Sequence, residues 1–141
     1  MKRLDLMLHG KGGVGKSFFA VNFVQFLKDK GIAPIAIDSD NENSTLKRFH
    51  PDTRFLDLNN RRELDGIFTA LEKADLVVMD CRAASTDLFI DYFTEIDLSA
   101  VLSELGAASR LRPFAGARAC SRSCGLPNRF HWRSIRGKTS I

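Results

Sequence analysis

The chain has 141 residues, 44% of them apolar and 27% charged, with 10 glycines and 4 prolines, a composition that fits a folded globular protein and excludes collagenous and disordered classes. At this length one core is expected; no stretch reaches the roughly 20 apolar residues of a membrane span, and Met1-Lys2-Arg3 runs into mixed sequence rather than a signal-peptide core, so a cytoplasmic protein is expected. The formal charge of +4 is uneven: all 17 acidic residues precede Gly106, while eight of the 21 basic ones (Arg110, Arg112, Arg118, Arg122, Arg129, Arg133, Arg136 and Lys138) follow it.

Arg3 to His9 alternates around Leu4, Leu6 and Leu8 and ends at Gly10, the pattern of a strand. Ser17 to Lys30 is expected to be a helix, with Ala20, Phe23, Val24 and Leu27 on one face and Gly31 as its stop. Phe18, Phe19 and Phe26 widen that face and predict packing on more than one side. Ala33 to Ile37 is a second strand, running into the polar segment Asp38-Ser39-Asp40-Asn41-Glu42-Asn43-Ser44 at a strand end, where open α/β sheets keep their chemistry. Thr53 to Leu58 is a third. Asn60 with Glu63 resembles a capping box opening a helix through Leu64, Ile67, Phe68 and Leu71 to about Ala74. Asp75 to Asp80 is an apolar run between acids, suited to a parallel strand buried on both faces. Phe89, Tyr92, Phe93 and Ile96, then Leu98, Val101, Leu102 and Leu105, form two further helical stripes. Strands alternating with helices predict an α/β fold with a mainly parallel sheet.

Beyond Leu105 the periodicity stops. Residues 1–105 are therefore expected to form the domain, and residues 106–141 a basic, irregular tail: a nucleic-acid arm or, on its composition, a frameshifted reading rather than the natural continuation. On that expectation the sheet lacks the strand due after Leu105, leaving Leu4 to Leu8 as an apolar edge. The three cysteines, Cys81, Cys120 and Cys124, are odd in number and argue against a disulfide framework. Cys120, Cys124 and His131 lack the fourth ligand of a zinc site.

Gly10-Lys11-Gly12-Gly13-Val14-Gly15-Lys16-Ser17 matches the phosphate-loop pattern G-x-x-x-x-G-K-[ST] between a predicted strand and a predicted helix. Its glycines let backbone N–H groups turn onto phosphates at a helix N-terminus. Lys16 is suited to the β- and γ-phosphates of ATP and Ser17 to Mg²⁺.

Lys11, placed just after the first glycine, makes the loop resemble the deviant Walker A signature of the ParA/MinD family of P-loop ATPases, to which arsenite-pump and nitrogenase-iron-protein ATPases also belong. The resemblance covers residues 1 to about 105 and implies the three-layer P-loop NTPase fold, here truncated. It implies nucleotide contacts from Gly10, Lys11, Gly12, Gly13, Val14, Gly15, Lys16, Ser17 and Phe18, and an ATP-dependent homodimer in which Lys11 reaches phosphates bound by the partner. Asp38-Ser39-Asp40 looks like the family's switch I, with Asp40 orienting the attacking water and Asp38 on the magnesium side; Asp80 looks like the Walker B aspartate that binds Mg²⁺ through water. Catalysis would then fall to Lys11, Lys16 and Asp40, and the metal to Ser17, Asp38 and Asp80.

Two departures from the family stand out. Cys81-Arg82-Ala83-Ala84-Ser85-Thr86 follows Asp80 where many members have a proline pair, and Asp40-Asn41-Glu42-Asn43 replaces the Asp-Pro-Gln run of partition ATPases. The second leaves room for the plasmid mobilisation and conjugal-transfer accessory branch. The expected function is a Mg-ATP-dependent dimerising ATPase that positions or segregates cargo such as plasmid DNA or a transfer complex, with an adaptor protein as partner. A nucleotide-binding accessory module with little or no hydrolysis, a non-functional truncated fragment, a small-molecule kinase and a DNA-binding role for the basic tail are the alternatives.

Overall fold

Leu4 and Leu6 on the first strand lie in one apolar cluster, while Met7 lies in another on the opposite face of the sheet, as the two-residue period of a strand requires. The computed structural model describes residues 1–112. In chain order the elements are β1 (Lys2–Met7), α1 (Lys16–Asp29), β2 (Ile35–Asp38), α2 (Thr45–Phe49), β3 (Arg54–Phe55), α3 (Arg61–Leu64), α4 (Gly66–Lys73), β4 (Leu76–Asp80), α5 (Thr86–Glu95), α6 (Leu98–Glu104) and β5 (Ala107–Leu111). The five strands form one sheet in the order β3-β2-β4-β1-β5, and all four pairings are parallel.

Three layers result. Ala20, Val24 and Leu27 of α1 and Leu46 of α2 pack on one face of the sheet, against Met7, Ala36, Leu76 and Val78. Ile67 and Leu71 of α4, Phe89 and Phe93 of α5, and Leu98 and Leu102 of α6 cover the other face, over Leu4, Leu6, Ile37, Val77 and Met79. All five residues of β4 are buried, which explains its unbroken apolar run. The expected α/β three-layer fold with a mainly parallel sheet is what the chain adopts.

The structure corrects the sequence reading at several points. The helix expected from Asn60 divides at Asp65 into α3 and α4. Asn60 accepts the Arg62 amide through its side chain, but Glu63 accepts from the Asp57 amide at 2.8 Å rather than closing a reciprocal box. The third strand shrinks to two exposed residues. Phe18 and Phe26 are 76% and 54% exposed, so α1 buries a single stripe rather than several faces.

The expectation of a missing strand after Leu105 is also overturned. Residues Ala107–Leu111 form β5, whose partners on β1 run from Lys2 opposite Ala107 to Leu6 opposite Leu111. β1 is thus flanked on both sides and is not an edge. Leu105 and Ala107 pack against the core, and the Arg112 amide donates to the Leu6 carbonyl at 3.0 Å. The expectations for the rest of the tail, including Cys120, Cys124 and His131, concern residues outside those described.

Candidate functional site

The ends of the three inner strands converge on one rim, where β1 runs into the glycine-rich loop, β2 into the Asp38 segment and β4 into the turn that opens α5. This is the carboxyl edge of a parallel sheet, the usual place for ligands in such folds. Gly13 and Gly15 take φ of +71° and +89°, a left-handed conformation that side chains other than glycine adopt at a cost. Gly15 is the N-cap of α1 and no side chain caps the helix there. The first amides of α1 therefore keep their donors for a ligand, and the helix end favours an anion.

Lys16 is buried, 7% exposed, and its ammonium donates to the Lys11 carbonyl at 3.2 Å. The Lys11 amide donates to His9 Nδ1 at 3.0 Å. Both contacts of Lys11 use its backbone, and its side chain is exposed. Gly12 lies against the turn after β4, a Cβ at Gly12 falling 3.6 Å from that of Ala83, and the Ala84 amide donates to the Gly10 carbonyl at 3.1 Å. Ser17 and Val14 are half-buried on the loop, and Phe18 projects to solvent beside it.

The three predicted acids lie together but in different environments. Asp38 is fully buried; one oxygen accepts the Asp40 amide at 2.9 Å and the other the Leu46 and Lys47 amides at 3.1 and 3.4 Å. Burial holds its pKa above the usual carboxylate value in spite of these bonds. Asp38 thus organises the loop and anchors α2 through backbone amides. Asp40 is half-buried, and accepts the Glu42 and Asn43 amides at 3.0 and 3.1 Å and the Asn43 side-chain amide at 3.1 Å. Burial works against its ionised form, but these bonds and the nearby charge of Arg82 prevail and lower its pKa.

Asp80 differs from both. It is 1% exposed, and neither carboxylate oxygen has a protein hydrogen-bond partner of ordinary geometry. Burial, with Asp38 and Asp40 adding to it, pushes its pKa up to about 6 against the opposing pull of the Ser17 hydroxyl and the Lys16 ammonium. A buried carboxylate without donors is costly unless a cation compensates it. Among the described residues no group of three His, Cys, Asp or Glu side chains forms a protein-only metal cage. The oxygen donors of Asp80 and Ser17 instead fit Mg²⁺, a hard cation that keeps its waters and takes one or two protein ligands together with phosphates.

The side chains that join these parts were not singled out in the sequence. The Ser39 hydroxyl donates to the Asp80 carbonyl at 3.2 Å and accepts the Arg82 amide at 3.0 Å, tying the acidic loop to the turn after β4. His9 fixes the Lys11 peptide, and Ser85 donates to the Arg82 carbonyl at 2.6 Å. The partners of Ser39 lie 41 and 43 residues away, so no local spacing reveals its role.

Residues 6–121 match the family model described as the CobQ/CobB/MinD/ParA nucleotide binding domain. The chain is 33% identical over 113 residues to a TraL protein of Escherichia coli, covering 75% of this chain and 47% of that protein. It is 32% identical over 91 residues to a second Escherichia coli TraL protein, covering 64% and 36%, and 30% identical over 108 residues to a MobD protein of Acidithiobacillus ferrooxidans, covering 74% and 47%. The chain spans about half the length of these relatives or less. Phosphate loop, acidic rim and family match agree: the chain belongs to the CobQ/CobB/MinD/ParA family of P-loop nucleotide-binding domains.

Proposed function

We propose that this domain is a Mg-ATP-binding accessory module whose useful output is the nucleotide-bound state, with slow hydrolysis or none. The observation that carries this reading is the pairing of a buried Lys16 ammonium, resting on a loop carbonyl, with a buried Asp80 carboxylate that no protein donor satisfies. Phosphates give the first a stronger partner and Mg²⁺ gives the second its counter-charge. Magnesium bound there would neutralise charge on the phosphate oxygens. Asp40, held by three N–H donors, is a weak base suited to orienting water rather than deprotonating it, which favours slow turnover.

The exposed side chain of Lys11 supports the finer reading of an ATP-dependent homodimer. The likeness to TraL and MobD sequences supports the conjugal-transfer and mobilisation branch, with a transfer complex or plasmid DNA as cargo and an adaptor as partner. No helix among the described residues is long and apolar enough to cross a membrane.

The test is a titration of a fluorescent ATP analogue with and without Mg²⁺, on the parent chain and on K16A. Binding that strengthens with Mg²⁺ and weakens at least tenfold in K16A, the order of a lost charge-assisted contact, supports the module; equal affinity in the two proteins refutes it. Phosphate release measured on the same samples separates a switch that hydrolyses from one that only binds.

A further inference from the structure

Arg82 occupies the turn between β4 and α5, and its backbone is held from both sides. Its amide donates to the Ser39 hydroxyl at 3.0 Å, its carbonyl accepts from Ser85 at 2.6 Å, and two residues on the Ala84 amide donates to the Gly10 carbonyl at 3.1 Å. The turn is therefore laid against the phosphate loop. Ala84 adopts a φ of +58° to make this approach, a conformation that a non-glycine residue keeps only when its surroundings impose it.

The guanidinium contrasts with this fixed backbone. Among the described residues the hydrogen bonds and ion pairs formed by Arg82 are those of its backbone alone. The residue is half-buried, and its charge is felt by the Asp40 carboxylate. Asp40 itself is satisfied by Glu42 and Asn43, so it does not bind the guanidinium. A partly desolvated planar cation with its donors uncommitted, beside a loop built for phosphate, matches the bidentate geometry of a phosphoryl group.

Position along the phosphate chain follows from the elements. The amides of α1 and Lys16 follow the loop after β1, and in the sheet β4 and then β2 lie next to β1, so Arg82 and Asp40, just past the ends of β4 and β2, lie on the β4–β2 side of that loop. A phosphate chain entering along the α1 amides presents its free end to that side. We infer that Arg82 is a γ-phosphate contact through which the site distinguishes ATP from ADP. The inference rests on the nucleotide-binding reading above and adds a specificity-determining residue to it.

The experiment measures the affinities of fluorescent ATP and ADP analogues in Mg²⁺ for the full chain, for R82A and for R82K. The expected result is an ADP affinity within about twofold of the parent in both variants. The preference for ATP should fall about tenfold in R82A, the scale of one charge-assisted contact, and less in R82K, which keeps the charge but not the fork. The drop should persist in a D40N background. An unchanged ATP-to-ADP ratio in R82A overturns the inference, and so does a drop that disappears with D40N, which makes Arg82 a positioner of Asp40 only. Loss of both nucleotides in R82A and R82K alike assigns Arg82 a structural role and also overturns it. A parent chain that binds neither nucleotide refutes the underlying reading itself, and is distinguished from the other outcomes by the parent alone.

Discussion

Asp5 and Arg112, 107 positions apart, meet in a 2.8 Å hydrogen-bonded ion pair. Asp5 is fully buried, and Arg3 contributes a second guanidinium at 3.2 Å. The Arg112 guanidinium also lies 4.6 Å from the centre of the Phe23 ring, a cation–π arrangement that adds to the pair. Three elements, β1, α1 and the end of β5, are thereby joined at one buried carboxylate.

Replacing Arg112 with methionine should destabilise the domain by about 2 kcal/mol, below the full cost of breaking a buried pair because Arg3 remains. The midpoint of urea unfolding reports it, with the slope unchanged. A midpoint equal to that of the parent would mean that β5 is not docked on β1 in solution.

Lys11→Ala should leave the loop intact, since both hydrogen bonds of Lys11 come from its backbone. Monomer affinity for Mg-ATP is expected to stay within about twofold, while ATP-dependent dimers disappear because an exposed contact to the partner's phosphates is lost. Light scattering with and without ATP distinguishes the outcomes; normal dimers in the variant would remove the case for action in trans.

Asp80 makes the nucleotide-free domain sensitive to pH in the direction opposite to an acid held by N–H donors, such as Asp40. Its folded pKa of about 6 lies above the ordinary 3.8, so the folded state binds the proton more tightly than the unfolded chain. This stabilising contribution is complete below about pH 4 and is lost as pH rises through about 6. The difference corresponds to about 3 kcal/mol. Asp80→Asn should therefore match the parent near pH 4 and exceed it in stability at pH 7 without nucleotide. Addition of Mg-ATP should stabilise the parent more than the variant, which lacks the carboxylate. Urea midpoints between pH 4 and pH 8 test the sign, and a variant less stable than the parent at pH 7 without nucleotide contradicts it.

The parts of the fold that could be read from sequence are those whose burial repeats at short spacing. The Ala20, Val24 and Leu27 stripe placed α1 to within one residue at each end, and the apolar run ending in Asp80 placed β4. α2 is not legible in the sequence because its five residues bury Leu46 alone, too little for a period to show. β5 is not legible either, because Ala107-Ala108-Ser109-Arg110-Leu111 has no alternation; its strand conformation comes from pairing with β1, a partner 105 positions away. The site divides in the same way. The glycine-rich loop is contiguous and could be recognised from its spacing, and the acids stand at strand ends. Ser39 and Arg82 take their roles from contacts that exist only once β2 and β4 lie side by side.

That sheet order has a consequence for the order in which the protein can be built on the ribosome. Among the described strands β1 is synthesised first, yet its neighbours are β4 and β5, at residues 76–80 and 107–111. Its apolar face, with Leu4 and Leu6, must wait for most of the described chain to emerge before either side is covered, and long-range parallel pairing is slow to form. The phosphate loop hangs from the end of this same strand. The nucleotide site can thus be completed only late in synthesis, so a nascent chain stalled before β4 would carry the whole phosphate-loop sequence without a sheet to hold it open.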